Sequence, residues 1–252
     1  MHLKHLFILL VIISCSLKAE ERPLLIQTEA WPPFIMQNSD LSASGHDVEI
    51  LESVLNLMNI KYKLEFIPWK RLISNIKNKQ ADAVLGIIIT PERKDFLIFP
   101  DEPISSGGYV IFYPKTTVFQ FNDLSSLSGK RIGTIGGYSY SSEFQNAKNF
   151  HQHPQVGESA LENNFKKMLL GRLDLLIANK LVGLYTAAKM QILDQIDYSD
   201  RYVSGETQFY LAFSKIERHN TLAQNFSIQL KNFKQTAEYK TIQTRYGLLT
   251  QH

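Results

Sequence analysis

The chain has 252 residues, 44% of them hydrophobic, which is enough to bury one large core or those of two small lobes. A single cysteine, Cys15, excludes an internal disulfide and a cysteine metal site. The formal charge is only +3, which argues against nucleic acid as a partner.

Residues 1–19 read as a secretory signal. His2, Lys4 and His5 precede the apolar block Leu6 to Ile13, and small or polar residues follow up to Ala19. The block is too short to span a bilayer as a helix, which takes about 20 residues. Cleavage after Ala19 is expected. The alternative is a lipoprotein box, Ile12-Ile13-Ser14-Cys15, with lipidation at Cys15. Either route exports the chain, so a periplasmic location is expected. Removing residues 1–19 takes away Lys4 and Lys18 and no acid, lowering the charge from +3 to +1.

Strand and helix signals then alternate, which implies an α/β fold with mostly parallel sheets covered on both faces. Leu24–Thr28 is an apolar strand broken by Trp31-Pro32-Pro33. After Gly45-His46-Asp47, residues Val48, Leu51, Val54, Leu55 and Met58 recur at helical spacing. Tyr62–Phe66 alternates as a strand, Leu72, Ile73 and Ile76 mark a helix, and Ala83–Ile89 is apolar throughout. Gly107-Gly108 marks a change of texture before the β run Tyr109–Tyr113. Arg131–Ile135 runs into the glycine turn Gly136-Gly137-Tyr138-Ser139 before a helix. Ser159 and Glu162 suggest a capping box, Leu173–Ala178 is a strand, and His151 and His153 fall in a polar loop. Phe209–Phe213 echoes Tyr109–Tyr113, and helices over Thr221–Phe233 and Ala237–Tyr246 close the chain.

The segment Thr90-Pro91-Glu92-Arg93 carries the clearest chemical signal. Thr90 as N-cap and Pro91 at the first helical position start a helix at the end of an apolar strand, so backbone N–H groups and a guanidinium converge where a carboxylate could sit.

With these motifs in order, the chain resembles the type 3 extracellular solute-binding proteins, which include polar amino-acid receptors of ABC importers. The resemblance rests on Trp31-Pro32-Pro33-Phe34, Gly45-His46-Asp47, Asp82 through Arg93, Phe99-Pro100-Asp101-Glu102-Pro103, Leu127 through Gly133, Gly171-Arg172-Leu173-Asp174 and the late strand ending in Lys215. It implies two α/β lobes joined by two crossing strands and closing by hinge motion on a ligand between them. Lobe 1 would comprise residues 22–108 and 214–252, lobe 2 residues 115–207, and the hinge strands 109–114 and 208–213.

By the same resemblance Arg93 binds a ligand carboxylate, and Gly137, Tyr138 and Ser139 hold the same anion from lobe 2. Trp69 and Trp31 cover the ligand side chain, and Glu29 either meets a cation or caps a turn. Two departures stand out. Asn179 occupies the position where amino-acid receptors carry an aspartate for the ligand ammonium, and Ile88 stands where a serine or threonine usually donates to the carboxylate.

The leading reading is a periplasmic receptor that takes a small anionic or zwitterionic, amino-acid-like solute to a membrane permease. The alternatives are a receptor for a membrane-bound sensor and an exported dehydratase-type enzyme on the same fold. No Gly-x-Ser-x-Gly, His-Glu-x-x-His or cysteine nucleophile supports an enzyme. No cofactor, metal or nucleic acid is expected, and the protein is expected to be a monomer.

Overall fold

The computed structural model describes residues 22–246. The export signal and the lipidation alternative at Cys15 lie outside the described residues. Leu24–Thr28 (β1) is buried at four of its five positions. A small hairpin of Met36–Gln37 (β2) and Ala43–Ser44 (β3) follows the proline break. His46–Leu57 (α1) turns Val48, Ile50, Leu51, Val54 and Leu55 inward at helical spacing. Tyr62–Phe66 (β4) lies parallel to β1, from Leu24↔Tyr62 to Thr28↔Phe66. Trp69–Lys77 (α2) crosses over to Ala83–Ile87 (β5), which is parallel to β1 on its other edge. Parallel pairs need such crossovers, and the apolar stripes of α1 and α2 supply them. Pro91–Lys94 (α3) and Leu97–Ile98 (β6) complete this part of lobe 1.

The chain then enters Ser105–Pro114 (β7) and builds lobe 2 from Arg131–Ile135 (β8), Ser142–Asn146 (α4), His151–Gln155 (β9), Ala160–Leu169 (α5), Leu175–Asn179 (β10), Lys180–Lys189 (α6) and Ile196–Tyr198 (β11). Glu206–Ser214 (β12) returns to lobe 1, where Arg218–Phe233 (α7) and Ala237–Arg245 (α8) pack on α1. The strand order is β4-β1-β5-β12-β7-β10-β8-β9. One hydrophobic core runs through both lobes, with the ring pairs Phe213–Phe226 in lobe 1 and Phe112–Phe165 in lobe 2. Burying one such ring contributes about 1.5–3 kcal/mol.

The two crossing strands position everything else. β7 and β12 pair antiparallel only over Ser105–Gly108 and Glu206–Phe209. Beyond that point they part: Tyr109–Phe112 pairs with β10, and Tyr210–Phe213 pairs with β5. This ladder adjoins the segment 109–114 and overlaps the start of 208–213, the hinge strands implied by the resemblance. Gly107 and Gly108, which read as a break, are strand residues placed for close approach. A Cβ on Gly108 would sit 2.2 Å from the Tyr202 ring, and one on Gly107 would sit 2.6 Å from Asn179 Nδ2.

Two other local readings are corrected. His151 and His153 lie in no loop but in β9, which pairs parallel with β8 and ends the sheet. An edge strand exposed along much of its length has no need of an apolar pattern, so alternation does not mark it. The capping box at Ser159 does not form. Its backbone, at φ −96° and ψ 25°, lacks the extended geometry that aims an N-cap hydroxyl into the helix. Among the described residues, no helix is long and apolar enough to cross a membrane.

Candidate functional site

At opposite ends of the short β7–β12 ladder, Tyr109, just past Gly108, and Phe209, paired with Ser105, line a cavity of about 40 Å³ between the lobes. Lobe 1 adds Glu29, Trp31, Ile35, Trp69, Leu85, Gly86, Ile88 and Arg93, and lobe 2 adds Tyr138 and Ser139. Six of the eight residues expected at a ligand site therefore share one space: Glu29, Trp31, Trp69, Arg93, Tyr138 and Ser139.

Arg93 is held by a very short helix. Thr90 caps it by accepting from the Arg93 backbone N–H at 3.2 Å, so this N–H is not free for a ligand, and the four residues of α3 build little dipole. The anion-binding potential of the segment thus resides in the guanidinium. That group is 7% exposed and donates through Nη1 to the Ile88 carbonyl at 3.1 Å. Its carbon lies 5.3 Å from the centre of the Trp69 ring. Neighbouring Glu92 turns away to Lys77, and among the described residues no carboxylate forms an ion pair with Arg93. Burial pushes its pKa down from the ordinary value. A buried cation without a counter-ion is costly, and an incoming carboxylate would remove that cost.

Glu29, just past the end of β1, is the acid of the cavity. Its Oε1 accepts from the Trp69 backbone N–H at 3.0 Å, satisfying a free N–H at the start of α2, and its Oε2 accepts from the Tyr138 hydroxyl at 3.3 Å. Burial raises its pKa above the usual glutamate value; these two hydrogen bonds work against that, and the nearby Glu158 charge adds to it.

Gly137 takes part through its carbonyl. At φ +88°, a conformation that favours glycine, it accepts from Trp69 Nε1 at 3.0 Å across the cleft. The rings of Trp69 and Tyr138 meet edge-on with centroids 6.0 Å apart. The glycine turn does not feed directly into a helix, because α4 begins at Ser142 and is capped by Ser141.

Asn179 is not brought to the cavity wall. It caps α6, its Oδ1 accepting from the N–H groups of Leu181 and Val182 at 3.1 and 3.4 Å. Its Nδ2 is buried without a partner beside Gly107. The acceptor that a ligand ammonium would need is thus already used.

Tyr109 and Phe209 escaped the sequence reading because their runs were assigned to the hinge. Tyr109 is 6% exposed, burial keeps its phenol neutral, and it faces the Arg93 charge. Both are aromatic, and they flank opposite ends of the short β7–β12 ladder.

The model for the bacterial extracellular solute-binding proteins, family 3, matches residues 24–249. The chain belongs to this family. The arginine-binding periplasmic protein of Mannheimia haemolytica is 24% identical to this family 3 protein over 245 residues, 95% of this chain and 97% of the other. The solved structure of the P235GK mutant of ArgBP from T. maritima superposes with a TM-score of 0.74 at 21% identity, covering 89% of this chain and 94% of that one. A histidine kinase sensor domain with similarity to periplasmic binding proteins superposes with a TM-score of 0.75 at 17% identity, covering 89% and 96%. These likenesses agree with the two-lobed periplasmic-binding-protein fold. The family and its curated relatives are extracellular or periplasmic binding proteins for small solutes.

Proposed function

We propose that this family 3 protein captures a zwitterionic, amino-acid-like solute between its lobes in the periplasm and delivers it to a membrane permease, acting as a monomer without catalysing a reaction. The solute carboxylate pairs with Arg93, and its cationic group meets Glu29 among Trp31, Trp69 and Tyr138. One observation carries this reading: a buried guanidinium that, among the described residues, forms no ion pair with a carboxylate shares one cavity between the lobes with Glu29 and a set of aromatic faces. Opposite charges in a low-dielectric cleft select a ligand that presents both in the reverse sense. Asn179 supports the same assignment, since its committed acceptor leaves Glu29 to meet the cation. Lobe 1 would comprise residues 22–108 and 214–252 and lobe 2 residues 115–207, with bending at the point where β7 and β12 part.

The chain has two tryptophans, and both line the cavity. Intrinsic tryptophan fluorescence therefore reports on the site itself. A titration across amino acids, simple carboxylates and amines should show saturable change with zwitterions and little with either half alone. Saturation by a simple amine, with none by carboxylate-bearing solutes, would overturn the reading. Turnover of a bound solute would instead favour the dehydratase alternative. The likeness to a histidine kinase sensor domain keeps a signalling partner in view. Pull-down from membranes with the solute present separates the two: a permease supports transport, and a kinase or cyclase supports sensing.

A further inference from the structure

Beyond Glu29, Trp31, Trp69 and Tyr138 the cleft widens into an outer chamber of about 330 Å³, which shares those four walls. The inner cavity, at about 40 Å³, is far smaller. It is walled by Arg93 and aromatic side chains, and it shares the Glu29, Trp31, Trp69 and Tyr138 walls with the chamber, so one end of a solute at Arg93 leaves the chamber side for the rest. The remainder of any solute held by Arg93 must then extend outward.

The outer walls are largely apolar. Phe66, Ile67 and Pro68 face Val156, Leu161 and Tyr185 across the cleft, so both lobes contribute. Val156 and Tyr185 are large apolar groups left 54% and 38% exposed there. The charged groups of the chamber are Glu29, Glu158 and Glu162 against Lys70 and Lys189. Glu29 and Glu158 lie on opposite lobes, and the charge of Glu158 adds to the rise in the Glu29 pKa. Two carboxylates facing one partly dry space favour a cation between them.

We infer that the solute is dipeptide-sized, with its carboxylate on Arg93, its amine between Glu29 and Glu158, and an apolar or aromatic amino-terminal side chain on Val156, Leu161 and Tyr185. The inference rests on the reading of Arg93 as the carboxylate anchor. It adds a second subsite, in which lobe 2 reads the far end of the solute.

Titration calorimetry on the mature chain tests it with phenylalanyl-glycine, N-acetyl-phenylalanyl-glycine, phenylalanine and glycine. Phenylalanyl-glycine should bind at least about tenfold more tightly than either free amino acid, and N-acetylation should lose about tenfold or more. Val156→Trp, which fills the chamber from a half-exposed position, should weaken the dipeptide by about tenfold and leave glycine unchanged. Tyr185→Ala, which removes a ring 38% exposed on the chamber wall, should weaken the dipeptide in the same direction. If a free amino acid binds as tightly as the dipeptide and both variants leave dipeptide affinity intact, the chamber is only the solvent-filled mouth of the cleft and the inference fails alone. If no zwitterion of either size binds, the Arg93 reading fails and takes the chamber with it.

Discussion

The Tyr138 hydroxyl donates to Glu29 Oε2 at 3.3 Å, and this bond joins lobe 2 to lobe 1 directly across the cleft. With the Trp69 Nε1 bond to the Gly137 carbonyl, it fixes the closed approach of the lobes over the inner cavity. Tyr138→Phe removes the hydroxyl and keeps the ring. A hydrogen bond to a charged group contributes about 1.5–3 kcal/mol, and this one is already made in the empty protein, so its loss should lower the empty protein's melting temperature by several degrees. Solute affinity should change less than about threefold, because the bond is present before the solute arrives. Calorimetry and a thermal melt on the same preparation check both halves.

Glu29 makes binding and stability respond to pH in opposite senses. Burial raises its pKa above the ordinary value of 4.5, so between that value and the raised one the folded chain binds more protons than the unfolded chain. The contribution of Glu29 to the empty protein's stability is therefore greatest at low pH and declines as pH rises through this window. Affinity for a cationic group runs the other way, since the carboxylate must be ionised to attract it. Stability and affinity profiles of the native protein should show opposite slopes there, and Glu29→Gln should flatten both.

Asn179→Asp separates a binding role from a structural one. The side chain is 2% exposed, its oxygen caps α6, and its nitrogen is unpaired. An aspartate keeps the cap and gains from the helix dipole. It also buries a carboxylate without a cation partner, which costs more. The variant should melt lower than the native protein, increasingly so as pH rises above the carboxylate range, while amino-acid affinity changes less than about threefold. A large gain in affinity for α-amino acids over their deaminated analogues would instead make Asn179 the ammonium site.

Tyr109 supplies a hydroxyl near Arg93 where Ile88 offers only a carbonyl and an alkyl side chain. Tyr109→Phe should weaken carboxylate-bearing solutes by roughly ten- to a hundredfold, the worth of one hydrogen bond to a charged group. Comparing an amino acid with its decarboxylated amine isolates the effect. Equal loss for both would assign Tyr109 to the wall and not to the carboxylate.

The fold was legible because its signals are local and repeated: period-2 and period-3.6 apolar runs, a threonine-proline helix start, and glycines between elements. The strand role of Gly107 and Gly108 was not legible, because they carry no side chain to alternate and their close approach depends on Tyr202 and Asn179, which are distant in sequence. The site was legible where one residue type suffices, as with Arg93 and the two tryptophans. It was not legible where a role depends on which neighbour takes a side chain's acceptor. Asn179 is the example, since its type and position fit a ligand contact while its oxygen is committed to α6.

Arg93, buried and without an ion-pair partner among the described residues, is proposed to receive the solute carboxylate. Losing a charge-assisted contact in a closed cleft costs about 2–5 kcal/mol, because the ligand's charge is left unpaired. Calorimetric titration of Arg93→Ala with the tightest-binding zwitterion, alongside thermal melts of the empty proteins, measures this most directly. Binding should fall at least about thirtyfold, and the empty variant should melt at or above the native temperature, since a desolvated cation has been removed. Retained affinity together with a lower melting temperature would contradict the account and make Arg93 a structural residue.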